Sequence, residues 1–152
     1  MRIEIDLTGL TEAASQFEQL ANRAANIAPA GTAIALAFQA DVDERFASAP
    51  NTNSGGEVFG GATWPKLSQA YLNQRPDRRG GQILRDTGEL LNSYQVGTSD
   101  NIFSVTPNSV TFGSALPKAR YLAGRFPQII IHPQLVESIE RVLIAYLAEG
   151  VT

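Results

Sequence analysis

The chain has 152 residues, 43% of them hydrophobic and 18% charged, which is enough for one packed domain of ordinary globular composition. It contains no cysteine, so disulfides and thiolate metal sites are excluded. Its net charge of −3 does not favour generic adhesion to nucleic acid or to an anionic membrane surface.

At the start, Ile3, Ile5 and Leu7 alternate with charged residues. This is the period of a strand, and the interleaved charges are unlike a signal peptide. No apolar run is long enough to span a bilayer, so a soluble domain made inside the cell is expected. Ala14, Phe17, Leu20, Ala21, Ala24 and Ile27 then recur at helical spacing, predicting an amphipathic helix over 11–27 with Thr8 or Thr11 as its cap. Pro29 suits the first turn of a second helix. Ile34, Phe38, Val42 and Phe46 carry that helix to about Ser48, although Gly31 weakens its start. Phe17, Phe38 and Phe46 are therefore expected in the core.

The stretch Pro50–Gly56, extended by Gly60-Gly61, reads as a loop, and the segment near 49–63 is expected to be mobile. Trp64, the only tryptophan, precedes a short helix opened by Ser68 and carrying Leu67, Tyr71 and Leu72. A core plug with a bonded indole N–H is the favoured reading of Trp64, and an anchor between subunits is the competing one. The loop near 74–82 holds Pro76, Gly80 and Gly81 and is expected to be mobile or ordered by a partner. Asp86, with Glu89 three residues on, resembles a capping box for a helix over 87–94. Strands are expected at 94–97, 102–106 and 110–113, the last two forming a hairpin around Pro107-Asn108. Residues 119–127 are ambiguous, Ile129–Ile131 reads as a short strand, and Pro133 opens a final amphipathic helix. The predicted class is α+β, with an antiparallel sheet packed against N-terminal and C-terminal amphipathic helices in one domain over 1–152.

Charge is unevenly spread. Up to residue 65 the acids Glu4, Asp6, Glu12, Glu18, Asp41, Asp43, Glu44 and Glu57 outnumber Arg2, Arg23 and Arg45. From 66 to 85 the bases Lys66, Arg75, Arg78, Arg79 and Arg85 face only Asp77. Such asymmetry can set the register between subunits, and a solvated loop without a special partner accounts for it equally. His132 is the only histidine, beside Pro133 at a helix boundary, so a multi-histidine metal site is excluded. Asp41, Asp43 and Glu44 do not share one helix face and read as a solvated acidic surface rather than a metal site. The glycine pairs lack the lysine and hydroxyl of a phosphate loop. No catalytic, metal or cofactor residues are assigned.

From Gly61 onward the chain resembles the tail-completion, or head–tail joining, proteins of tailed phages, the virion morphogenesis family that includes the Mu G-like and P2 S-like proteins. The residues that carry the resemblance are Trp64, Leu67 and Ser68, then Ile83, Leu84, Thr87, Gly88, Leu90 and Ser93, then a hairpin ending in Gly113-Ser114, then the C-terminal helix. The family's His-Gln pair has no counterpart within Lys118–Pro127. The resemblance implies a non-enzymatic virion protein, made in the host bacterial cytoplasm and built into the tail or neck. It implies a homo-oligomeric ring, expected to be hexameric. Such a ring contacts the tail tube or tail terminator protein on one side and the head-completion or connector protein on the other. DNA passes through its lumen unread, and no membrane is involved. The interface candidates are Trp64, Arg75, Arg78, Arg79, Arg85, Arg120 and Arg125. Two other classes compete: a nucleic-acid-binding module using the basic 75–85 loop, and a small hydrolase centred on His132.

Overall fold

The computed structural model describes residues 8–150, with side chains from residue 12. The expected strand at 3–7 and the proposed caps Thr8 and Thr11 lie outside the described residues or side chains. Six helices and two separate two-stranded antiparallel sheets give the expected α+β class. The strands form two hairpins, where one sheet was expected.

Helix α1 spans Thr8–Ala25. A 3-10 turn at Ala28–Ala30, containing Pro29, leads into α2 at Gly31–Ala47. A Cβ on Gly31 would lie 2.6 Å from Val105 Cγ1, so glycine permits close packing there. The stripe on α2 serves two cores. Ile34 and Phe38 join Ala30, Tyr146 and the inner face of the last helix. Val42 and Phe46 join Trp64, Ile83, Leu90, Tyr94 and Phe126. The 17 residues of α2 span about 25 Å, so the clusters sit at opposite ends of one rod.

After α2, β1 (Gly55–Glu57) pairs with β2 (Thr63–Pro65) in the register Gly56 to Trp64. The segment expected as a mobile loop is thus largely a hairpin. Gly55 has φ +66, and a Cβ there would stand 2.5 Å from the Lys66 amide nitrogen, so the turn requires glycine. Helix α3 (Gln69–Gln74) starts as expected, with Ser68 Oγ accepting from the Tyr71 amide at 3.2 Å. The expected helix over 87–94 shrinks to α4, Glu89–Asn92. Its N-cap is Gly88 at φ 80, because the Asp86 carboxylate turns away to Arg75. Residues 94–97 form turns, not a strand, in which Gln95 donates to Asp43 at 2.7 Å and Gln39 accepts from the Val96 amide at 2.8 Å.

The hairpin of β3 (Asn101–Thr106) and β4 (Ser109–Ser114) is as expected, with Val105 opposite Val110. Residues 117–123 form α5 (Pro117–Ala123), and α6 (Pro133–Glu149) closes the chain. The expected strand at Ile129–Ile131 is absent. Its approach is bonded to side chains instead of a neighbouring strand: the Pro127 carbonyl accepts from Trp64 Nε1 at 3.1 Å, and the Gln128 carbonyl accepts from Arg45 Nη1 at 2.7 Å.

Arg45 is fully buried. Besides Gln128, it donates to the Phe59 carbonyl at 2.9 Å and to Asp41 Oδ2 at 2.6 Å. The other Asp41 oxygen meets His132 Nε2 at 2.5 Å. Asp41 is therefore buried, not part of a solvated acidic face.

The first helix departs most from expectation. Phe17 is 72% exposed and Leu20 41% exposed. Among the described residues, side-chain bonds fasten the C-terminal end of α1: Arg23 Nη1 donates to the Leu147 carbonyl, and Tyr146 Oη donates to the Asn26 carbonyl just beyond the helix.

Removing Arg45 leaves the Asp41 carboxylate and two carbonyls without their donor. Arg45→Ala is expected to cost about 3–5 kcal/mol, read from the midpoint of urea unfolding. A second check is pH. Burial pushes the Tyr94 hydroxyl up to about 12 from its ordinary 10.0. The folded value lies above the unfolded one, so this contribution is intact below pH 10 and falls away as pH rises towards 12. Tyr94→Phe is expected to flatten that alkaline fall in unfolding free energy.

Candidate interaction surface

The residues of the two motifs come together around one groove. Leu67 and Ser68 reach it from the end of β2, Tyr71 from α3, Leu84, Asp86, Thr87 and Gly88 from the following turn, Leu90 from α4, and Leu122 and Phe126 from α5 and its exit. Its volume is about 400 Å³, within the roughly 300–1,000 Å³ of ordinary binding clefts. Trp64 does not line it but packs in the core against Phe126, which does. Trp64 is fully buried, edge-on to Phe46 at 5.6 Å and to Phe126 at 6.4 Å between centroids. Its N–H is bonded to Pro127, so within one copy Trp64 is the core plug and has no surface with which to anchor a neighbour.

Leu84 has φ 61, the only positive φ outside glycine among the described residues. Such a conformation persists only where its surroundings enforce it. The enforcer is Arg78, whose Nη2 donates to the Gln82 carbonyl at 2.8 Å and whose Nη1 donates to the Arg85 carbonyl at 3.0 Å. The clamp brackets the Ile83-Leu84 pair and splits it. Ile83 drops into the core with no exposure, while Leu84 lines the groove.

The arginines of the basic loop consequently differ. Arg78 is buried, and its backbone carbonyl accepts from Thr52 Oγ1 at 2.7 Å. The reading of Arg78 as a surface contact residue is corrected: it is part of the scaffold. Arg75 holds Asp77 and Asp86. These carboxylates raise the guanidinium pKa, and Arg75 in turn lowers that of Asp77. Both groups are exposed and solvent screens the pair. Arg79 donates to the Leu72 carbonyl and to Asn73. Arg85 is exposed, with Nη1 3.5 Å from the Phe46 carbonyl. The 74–82 segment is thus a knot of internal hydrogen bonds around a 3-10 turn at Pro76–Arg78.

On the far wall Lys118 pairs with Glu89. Arg125 lies over the Phe126 ring at 5.4 Å and donates to the Lys66 carbonyl. Arg120 is exposed on α5 beside Tyr121, which is 83% exposed. Tyr71, Lys118 and Phe126 carried no functional signal in the sequence, because they reach the groove from three separate segments.

His132 stands at the N-cap position of α6 without a side-chain capping bond; it is buried, bonds Asp41, and meets the Phe59 ring edge-on at 5.2 Å. Its role here is to fix the entry to α6. Among the described residues no group of three or more His, Asp or Glu side chains is placed to hold a metal ion, and no helix is long and apolar enough to cross a membrane. The site thus belongs to an α+β domain with a cation-edged apolar groove. Compared with known protein families, characterised proteins and solved structures, the chain has no match in any of the three.

Arg78→Ala removes the charge-assisted donor from two carbonyls, leaving Gln82 only its bond from the Arg85 amide, and frees the Leu84 kink, so it is expected to cost about 1–3 kcal/mol. Arg75→Ala and Arg79→Ala are expected to leave the melting temperature nearly unchanged. Trp64→Ala is expected to cost about 3–5 kcal/mol. Thermal unfolding of the four variants gives the ranking, and a silent Arg78→Ala would overturn the clamp.

Proposed function

We propose that this chain is a structural virion protein of a tailed phage, forming a homo-oligomeric ring at the head-proximal end of the tail that completes the tail and joins it to the head connector. The observation that carries the reading is the convergence of the motif residues. Leu67, Ser68, Leu84, Thr87, Gly88 and Leu90 line one groove, with Trp64 and Ile83 in the core beneath it. The residues that carry the resemblance to the tail-completion proteins thus lie around one surface, which supports a role in an assembly contact. In this reading the protein acts by contact and not by catalysis. The ring, expected to be hexameric, meets the tail tube or tail terminator protein on one side and the head-completion or connector protein on the other, with DNA only passing through.

The competing reading, a nucleic-acid-binding module on the 75–85 loop, loses cations to internal bonds. Arg78 is buried in the Leu84 clamp and Arg75 is paired with Asp77 and Asp86. A phosphate-tracking site needs its cations free to displace counterions. Weak DNA binding without a steep salt dependence is expected.

The test is the number and place of copies in purified particles, by quantitative mass spectrometry and by electron microscopy of particles labelled on this protein. Several copies per particle, confined to the neck, are expected. A single copy, or none, would overturn the reading.

A further inference from the structure

Helix α1 presents a contiguous apolar face that stands exposed among the described residues. Phe17 and Leu20 are 72% and 41% exposed, and Ala14, Ala21 and Ala24 on the same stripe are exposed as well. In proteins most of a helix's stability comes from packing its amphipathic face, and α1 leaves that face unpacked. The cover is not the protein's own groove. The base of α1 is fastened beside Tyr146 at the N-terminal end of α2, whereas the groove lies over the Trp64–Phe126 cluster at the other end. The length of α2, about 25 Å, separates them.

The two surfaces suit each other. The groove is apolar along Leu67, Tyr71, Leu84, Leu122 and Phe126. On the side of α5 and its exit the groove is lined by Lys118, which pairs with Glu89, and by Arg125; Asp86 lines it as well. The described part of α1 carries Glu12 and Glu18, and its one cation, Arg23, is engaged with the Leu147 carbonyl. An amphipathic helix laid by its apolar face in an apolar groove is a standard recognition mode, and Arg125 and Lys118 at the groove edge give the acids of α1 cations to meet.

We infer that the groove receives helix α1 of a second copy of this chain, with Phe17 and Leu20 as the anchors. Donor and acceptor surfaces differ and lie at opposite ends of the molecule, so the contact is head to tail, and repeated contacts close into a ring or run on as a filament. The inference deepens the ring reading by naming its contact, but it is decided on purified protein, whereas the virion reading is decided on particles.

The absence of cysteine makes disulfide trapping clean. Ala14→Cys and Ala21→Cys flank Phe17 on the apolar face, and Thr87→Cys stands at the groove edge. Each α1 variant is mixed with Thr87→Cys at high protein concentration under mild oxidation. Disulfide-linked heterodimers are expected, and Gln19→Cys, on the opposite face of α1, is expected to give at least about tenfold less product. Sedimentation is expected to show concentration-dependent self-association that Phe17→Ser weakens about tenfold or more. Circular dichroism confirms that this variant stays folded, because Phe17 touches little of its own chain. A protein that stays monomeric throughout, cross-links insensitive to helix face, or oligomers unaffected by Phe17→Ser would each overturn the inference. In the last case a ring could still stand on other contacts, and the copy number in particles would be unaffected.

Discussion

A guanidinium with no solvent exposure must find acceptors for its donors inside the protein, and Arg45 finds them on three different segments. Phe59 belongs to the connection between β1 and β2, Gln128 to the exit of α5, and Asp41 to its own helix one turn back. Asp41 then reaches His132 at the start of α6. None of these segments pairs with another as a sheet. Without the polar hub, the first hairpin, the 126–132 stretch and the last helix would have no shared reference. Gln128 extends the hub by accepting from Tyr94 Oη at 3.0 Å, which places the aromatic cluster next to the polar one. The groove walls inherit their positions from this arrangement, since Phe126 and Trp64 are held by backbone that the hub fixes.

The rod that carries the hub also divides the molecule. At one end of α2 the core is mostly aliphatic, with Phe38 and Tyr146, and is shared with α6; at the other it is richer in aromatic rings and covered by short segments. The aliphatic end is ordinary helix packing. The aromatic end is held by clamps from side chain to backbone, of which Arg45 and Arg78 are the largest. Such clamps leave little freedom in the walls, so a partner entering the groove meets a surface already in place and ordering costs on that side are small.

The parts of the fold legible in sequence were those governed by local rules. The stripe on α2, the Ser68 cap, the hairpin around Pro107-Asn108 and the start of α6 at Pro133 follow from spacing and from turn or cap chemistry. What could not be read was set by distant partners. Asp41 looked solvated beside Asp43 and Glu44, yet its bonds come from Arg45 and His132. Ile129–Ile131 had strand composition, but the neighbouring carbonyls were claimed by Arg45 and Trp64. Phe17 and Phe46 stand on similar stripes; one lies in solvent and the other in the core, because periodicity shows that a face is apolar and not what covers it. In the site, the motif residues were visible but their common groove was not.

Arg75, Arg78 and Arg79 show the same limit at the scale of one turn. In sequence they form one basic cluster. In the structure the 3-10 turn at Pro76–Arg78 sends their side chains to different places. Arg78 is directed inward to the carbonyls of Gln82 and Arg85, and that inward turn is what makes the strained Leu84 backbone tenable. Glycine or asparagine would adopt φ 61 at lower cost, but neither would give the groove the aliphatic wall that Leu84 supplies. Strain at one residue is thus balanced by two charge-assisted hydrogen bonds from another, and the product is an apolar side chain held against the surface. The same turn serves both sides, with Ile83 filling the core and Leu84 packed over it as a wall of the groove.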